Sequence, residues 1–482
     1  MTEVNLGKAD IEKAELISYD GATRRDISVT YIYGFNIEQS MDSVAYSGSV
    51  DILDTSNILE GMPIRGEETL NLEISTGDSD VITLISGIVH KVTDIHPKPS
   101  SNGVTYKLHF VSKATFKAST RNVITSFVNT PSEMAVEMFA ENFSKIGPGT
   151  TTDPDLNGAP LPYEAKSYSL IKEGRTNDVR SEADRTFVVQ PSKNNTRLII
   201  PDLAPSEAMF FVASRSYSPS SPSQTFRFFE TLDGYHFCTD EYLIKKANNA
   251  DDRILNLFFA PIVDLDGKNV EAQFNRIEDL DILSKGVDTS TDLFSGAYTN
   301  EVLEIDFIHR RLNYSRFNYE TDGAYIDMSG SPRDLGKSPH TALFRKENFT
   351  DKNARQFMIF KDYTSRGDRP SNILPNQHFP DIAHNRVSYY HHLNNTQVVA
   401  QMKGRLDIKP GMIINLDMKA LDFVDTNINM NETLSGRYLV QSTSHSMSYG
   451  VLNVILKLAK FDWSGQEQVA KNETADIGVT TA

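Results

Sequence analysis

Apolar and polar positions alternate in short runs along residues 14 to 115. Asp26 to Phe35, Tyr46 to Leu53, Glu68 to Ile74, Val81 to Asp94 and Val104 to Val111 keep partial period-two patterning, bounded by Gly, Asp, Ser or Pro. Period two sends successive side chains to opposite faces, so these runs predict consecutive antiparallel strands in a compact barrel or sandwich. The period then changes. Thr130-Pro131-Ser132-Glu133 spells a capping box with proline at the first helical position. Met134, Ala135, Met138, Phe139 and Phe143 follow at helical spacing, which predicts a helix over 131 to 145.

Further along, 148 to 170 is rich in Pro, Gly and Asp and reads as a loop. Thr186 to Gln190 predicts a strand, Pro205 to Tyr217 a second helix, and the Ser/Pro run 218 to 224 a loop. Asp233-Gly234 between Phe226 to Glu230 and Tyr235 to Phe237 is a strong hairpin signal. Strands return over 273 to 318, including Asn300 to Ile308, and 319 to 385 is polar and irregular. Val387, Tyr390, His391, Val398, Val399 and Met402 recur at roughly helical intervals and predict a helix over 386 to 403. A last run of strands closes near Trp463, followed by a polar tail.

The same β-unit is written twice. Gly61-Met62, Ser86-Gly87, His96 and Gly103-Val104 in front match Gly411-Met412, Ser435-Gly436, His445 and Gly450-Val451 behind. The Gly-to-His gap is nine residues in both, and the preceding gap is 26 residues in one and 25 in the other. Alternating strands follow each, Val104 to Val111 and Val451 to Leu458. If the match extends upstream, Ser47-Gly48 before Ser49 to Leu53 corresponds to Ser295-Gly296 before Val302 to Asp306. The second copy then carries an insertion that the first lacks.

Composition narrows the function classes. A chain of 482 residues exceeds one core and predicts about three domains. With 39% hydrophobic and 23% charged residues it reads as a globular protein. A net charge of −16 without a dominant basic cluster argues against binding a nucleic-acid backbone. That acidity serves solubility by self-repulsion, or lines a passage that repels DNA. One cysteine, Cys238, leaves no disulfide framework and fits folding in a reducing cytosol. Met1 to Ile11 carries no apolar signal core, and no run of about 18 apolar residues predicts a membrane span.

A search for chemistry yields no catalytic, cofactor-binding or metal-ligating residue. His378, His384, His391 and His392 cluster in sequence but lack the i, i+4 pair with a glutamate that a helical zinc site uses. They read as surface or core histidines. Asp264-Leu265-Asp266-Gly267 opens like a calcium loop, yet Asn275 stands where the bidentate glutamate is needed, so a hairpin turn is the better reading. No nucleophile elbow, phosphate loop or dinucleotide fingerprint occurs. Cys238 reads as a small buried apolar residue, and His96 and His445 as matched structural positions.

Three segments resemble one family. Gly48-Ser49-Val50-Asp51-Ile52-Leu53-Asp54-Thr55-Ser56-Asn57-Ile58, followed by Gly61-Met62-Pro63-Ile64, is similar to the first barrel of the central hub protein of contractile-tail bacteriophage baseplates. The helix at 205 to 217 leading to Phe228-Phe229-Glu230 and Asp233-Gly234-Tyr235-His236-Phe237 resembles the same hubs and the related type VI secretion spike proteins. Leu406-Asp407-Ile408-Lys409-Pro410-Gly411-Met412 and Tyr438-Leu439-Val440 to Trp463 resemble the second barrel.

The resemblance implies a mainly β (α+β) fold of two duplicated barrel-like tube domains with intervening mixed α/β segments. The expected division is 1–115 first tube domain, 116–272 connecting domain, and 273–318 plus 396–465 second tube domain. An insertion at 319–395 and a flexible tail at 466–482 complete it. It further implies a non-enzymatic homotrimer forming a pseudo-sixfold ring in a virion assembled in the host cytoplasm. Tail-tube or tube-like baseplate proteins are expected on one end and a trimeric cell-puncturing spike on the other. Baseplate wedge proteins, reached by the insertion, and transient passage of DNA without specific binding complete the expected partners. The alternatives are the hub of a bacterial contractile injection device and a tail-associated peptidoglycan hydrolase.

Overall fold

The computed structural model describes residues 7–27, 31–56, 58–62, 64–76, 79–98, 103–143, 169–171, 186–193, 195–221, 223–248, 254–259, 274–285, 289–307, 310–318, 355–360, 378–394, 396–418 and 434–461. The Asp264 turn, the loop over 148 to 168, most of 319 to 377 and the tail lie outside them.

The front of the chain holds β1 (Ala9–Ile17), β2 (Arg24–Asp26), β3 (Ile32–Ser40), β4 (Ser47–Asp54), β5 (Glu68–Thr76), β6 (Ser79–Lys98) and β7 (Gly103–Ser112). They pair antiparallel in the order β3-β4-β7-β6-β5-β1-β2. The alternation seen in the sequence sets which face is buried. Along β7, Tyr106, Leu108, Phe110 and Ser112 are buried, while Lys107, His109 and Val111 are only partly covered.

A mixed unit follows: β8 (Val123–Asn129), β10 (Thr186–Val189), β11 (Thr196–Leu203), β12 (Arg227–Thr231) and β13 (Gly234–Cys238), while β9 (Ser169–Ile171), lying between β8 and β10 in sequence, pairs with β6 of the front sheet. The capping box forms as expected at the helix Pro131–Asn142: the Glu133 N–H donates to Thr130 Oγ1, and the Thr130 N–H donates to Glu133 Oε2 at 3.1 Å. The helix starting at Pro205 stops at Ala213, short of the predicted Tyr217. Ser214 and Ser216 explain the early end, since their hydroxyls donate to the Phe211 and Val212 carbonyls and compete with helix continuation. The Asp233-Gly234 hairpin is present as β12–β13, with Leu232 and Asp233 between the paired Thr231 and Gly234. β10 pairs parallel to β13. Met134, Met138, Met209, Val212, Phe228 and Phe237 fill a core of their own beneath these elements.

The back of the chain holds β14 (Leu255–Phe259), β15 (Asp279–Lys285), β16 (Thr299–Asp306), β17 (Arg311–Asn318), β18 (Arg355–Phe360), β19 (Thr396–Lys403), β20 (Ile413–Met418), β21 (Gly436–Ser448) and β22 (Val451–Lys460). Two expectations are corrected here. The helix predicted over 386 to 403 is a helix at Phe379–Asn394 followed by strand β19. Thr396, Val398, Ala400 and Met402 are buried in alternation, so the apparent helical spacing had merged two elements with different periods. Asn300 to Asp306 does not join the large sheet. It forms β16, paired with β17 and with β18 from the segment read as an insertion.

Most strands belong to one 14-stranded sheet. The fold is mainly β with large antiparallel sheets, as expected, but the barrel expectation needs correction. The path of paired strands runs open from β15 to β2. Its two parts meet where β3 pairs antiparallel with β21, Ser442 opposite Ser40 through Ser448 opposite Gly34. A single bridge from Lys8 to Val451 brings the start of β1 against the β21–β22 turn. One hydrophobic core draws on both parts, including Leu16, Ile37, Leu72 and Leu108 with Val398, Leu416, Tyr438 and Leu456.

Candidate assembly interface

The repeated unit is visible in the pairing order. The front strands run β3-β4-β7-β6-β5-β1 and the back strands run β15-β19-β22-β21-β20-β14. Every step matches except the last, where β14 pairs parallel to β20 while β1 pairs antiparallel to β5. The copies are therefore the same topology with different ends.

Bulges fix the register between them. In β6 the ladder to β7 skips one residue between Val89 and Lys91; in β21 the ladder to β22 skips one between Val440 and Ser442. Matching these bulges aligns Val89 with Val440 and Thr93 with Ser444. The spacing-based alignment of Gly87 with Gly436 is thus two residues out. His445 corresponds to Asp94, and His445 is fully buried while His96 is exposed, so the two histidines are not matched positions. Likewise Gly61 ends a short helix, and Gly66 (φ +99°) turns the chain before β5 as Gly411 (φ +86°) does before β20.

The same positions are filled differently in the two copies. In front, the Phe110 ring lies over Gly48 and Gly87 on the flanking strands, and a Cβ on Gly87 would come within 2.5 Å of Phe110 Cδ2. Behind, the aligned positions are Val398, Leu458 and Tyr438, all fully buried. One copy sets a large side chain between two glycines. The other sets a medium one between larger neighbours, which conserves volume across three strands.

Polar pins lock the mixed unit to both copies. Arg227 of β12 donates from Nε to Asp240 Oδ1 at 3.1 Å and from Nη1 to Asp42, just after β3. Its guanidinium also lies 4.8 Å from the Tyr390 ring centroid. Burial acts most strongly and lowers the Arg227 pKa, but Asp240 together with Tyr390 and Asp42 outweighs it and holds the group above its ordinary value. Arg386 on the helix Phe379–Asn394 donates to the Gln224 carbonyl at 2.7 Å and to the Ser214 carbonyl at 3.0 Å. Gln39 accepts from the Leu232 N–H at 3.0 Å, and Lys409 pairs with Asp233. Asp240 and Glu241 are adjacent buried carboxyls, but both are engaged: Glu241 Oε1 accepts from the Ser223 N–H at 2.7 Å. Both carboxyls are enclosed, and the Arg227–Asp240 pair fastens the mixed unit to β3 through Asp42. Sequence reading missed it. Its one available signal was Asp240-Glu241 opening a helix that closes on Lys245-Lys246, the charge order a helix dipole favours.

The candidate chemical residues are dispersed. His384 is buried, with Ser315 Oγ at 2.9 Å from Nε2 and Asn300 Oδ1 against Nδ1. His378 stacks on Tyr217 at 3.9 Å between centroids. Cys238 is buried, and burial pushes its thiol up, away from thiolate chemistry. Among the described residues no three His, Cys, Asp or Glu side chains gather as a metal site, and no helix is long and apolar enough to cross a membrane.

The chain is similar to phage tail proteins. A tail protein from Neisseria meningitidis MC58 matches at 10% identity and a TM-score of 0.47, covering 94% of this chain and 98% of its own. The 43 kDa tail protein of prophage MuSo2 from Shewanella oneidensis matches at 8% identity and 0.45, covering 92% and 97%. A Francisella PdpA-VgrG complex matches at 9% identity and 0.41, covering 95% of this chain and 53% of that one. No family model matches the sequence, and no curated protein does.

Proposed function

We propose that this chain is the structural hub of a contractile-tail baseplate. Three copies form a ring that is pseudo-sixfold, docks a hexameric tail tube on one side and holds a trimeric cell-puncturing spike on the other. The observation that carries the reading is the strand order β3-β4-β7-β6-β5-β1 repeated as β15-β19-β22-β21-β20-β14 in one chain. Two similar units per chain and three chains give six similar faces, which is what a match between threefold and sixfold partners requires.

In this reading the first tube domain is 1–115, and the second takes β14, β15 and β19 to β22. The mixed unit between them braces both, as the Arg227 and Lys409 pins do geometrically. The β16–β17–β18 sheet is separate in its pairing, packs through Phe317 on the core shared with Ile413 and Leu439, and offers its outer face to wedge proteins. A net charge of −16 suits a wall past which DNA slides without sticking. The chain's work is geometric, and no enzymatic step is assigned to it.

The test is mass in solution and copy number in the particle. A mass three times the 54.0 kDa of the chain, with three copies per tail, supports the hub. Six copies per tail, or a stable monomer that clears peptidoglycan in a zymogram, overturns it.

A further inference from the structure

In copy two, β21 serves two partners along one edge. Its first half, Gly436 to Leu439, pairs with β20, and its second half, Ser442 to Ser448, pairs with β3 of copy one. In copy one, β6 repeats only half of this. Ser79 to Val89 pairs with β5, and from His90 onward the same edge has no strand against it among the described residues. The strand of copy two equivalent to β3 is β15, which pairs with β19 and ends the sheet. Each chain thus uses one β21–β3 junction and leaves one matching half of each kind open.

From these two open edges we propose that the outer half of β6 pairs antiparallel with β15 of a second copy of this chain, repeating the β21–β3 junction between subunits. The inference rests on the ring reading above and supplies its seam. The register follows from the internal one. Ser444 faces Glu38 and Thr443 faces Gln39. The bulge alignment carries Ser444 to Thr93 and Thr443 to Val92. Partners in the ladders carry Glu38 to Ser284 and Gln39 to Lys285, because Glu38 faces Ser47, Ser47 aligns with Gln397, and Gln397 faces Ser284. Thr93 therefore faces Ser284 across the seam, and Val92 faces Lys285.

Exposure supports the same pairing. At the closed junction Phe35 and Ile37 are 2% and 0% exposed; at the open edge Ile282, aligned with Ile37, is 39% exposed. Leu283 is 56% exposed beside it, and Ile95 on the β6 side is 50% exposed. An open strand edge bearing apolar side chains is what folded proteins avoid unless a partner covers it. The contact is heterologous, front edge to back edge, so it propagates from copy to copy and closes as a ring where three rotations complete a turn, as the ring reading requires.

Cysteine pairs test it. Thr93→Cys with Ser284→Cys in one chain, under mild oxidant, is expected to give covalent dimers and trimers and to stop at trimers. Each single variant gives none, since the native Cys238 is buried. A control pair, Thr93→Cys with Leu312→Cys on the exposed β17 surface, also gives none. Separately, Ile282→Asp, which sets a second carboxylate against Asp94 across the seam, is expected to leave monomer melting unchanged and to raise the concentration of half-assembly by at least tenfold. A trimeric mass with either readout absent overturns the seam and leaves the ring standing. A monomeric mass at all concentrations removes both.

Discussion

The Ser444 hydroxyl donates to Asn36 Oδ1 at 3.1 Å, across 408 positions of sequence, at the junction that turns two copies into one sheet. The backbone ladder beside it pairs His445 with Ile37 and Met447 with Phe35. Both apolar strands of the junction feed the shared core, so the copies should unfold together.

Ile37→Ala tests that coupling. Ile37 is fully buried at the junction, and such truncations cost about 2–5 kcal/mol. Urea denaturation followed by circular dichroism is expected to show one transition at a lower midpoint with the slope unchanged. Two separated transitions in the variant would show that the copies fold as independent units.

The Phe110 stack gives a sharper prediction. Gly48→Val drives a Cβ to within 2.5 Å of the Asn36 carbonyl and against the Phe110 ring, and overpacking of this kind costs about 1–3 kcal/mol. Phe110→Leu alone leaves a cavity at similar cost. Because copy two carries Val398 beside Leu458 at these positions, the double variant should recover part of the loss. The cycle is read by midpoint shifts, and strict additivity of the two single changes would refute the volume exchange.

This exchange also explains what the sequence concealed. Period-two runs were legible because each strand has one buried face, and the Thr130 capping box because its chemistry is local. The repeat was legible as a theme and misaligned by two residues. Its glycines sit where a large neighbour needs room, and that neighbour lies on another strand: Gly87 answers Phe110, while Tyr438 answers Leu458. Identity is lost position by position while volume is kept. The Arg227 fastening was illegible for a related reason, since its partners Asp42, Asp240 and Tyr390 come from three distant segments.

That fastening should behave as a buried ion pair. The Asp240 side chain is 0% exposed and Arg227 is 10% exposed. Asp240→Ala leaves the buried guanidinium only the exposed Asp42 carboxylate and is expected to cost up to about 3–5 kcal/mol, seen as a lower melting temperature. Arg227→Met with Asp240→Leu removes both charges and should fall within about 1–2 kcal/mol of the parent. If the double change is as damaging as the single one, the pair does more than balance charge.

His445 should make the junction acid-sensitive. Its side chain is wholly enclosed, and burial drives its imidazole down to about 4 against weaker opposing influence from Asp407. The unfolded chain titrates near the ordinary value of about 6.5. Above that pH neither state holds the proton, and His445 adds no pH dependence. Between about 6.5 and 4 the unfolded chain takes up a proton that the folded chain refuses, so stability falls as pH falls. At about 1.36 kcal/mol for each pH step of one across this window, the loss accumulates to roughly 3 kcal/mol by pH 4. His445→Leu removes the group, and its urea midpoint relative to the parent should rise between pH 7 and pH 4.5. Carboxylates elsewhere contribute equally to both chains and cancel in the difference. A difference that stays flat across that window would mean that His445 is solvated or already charged in the folded sheet.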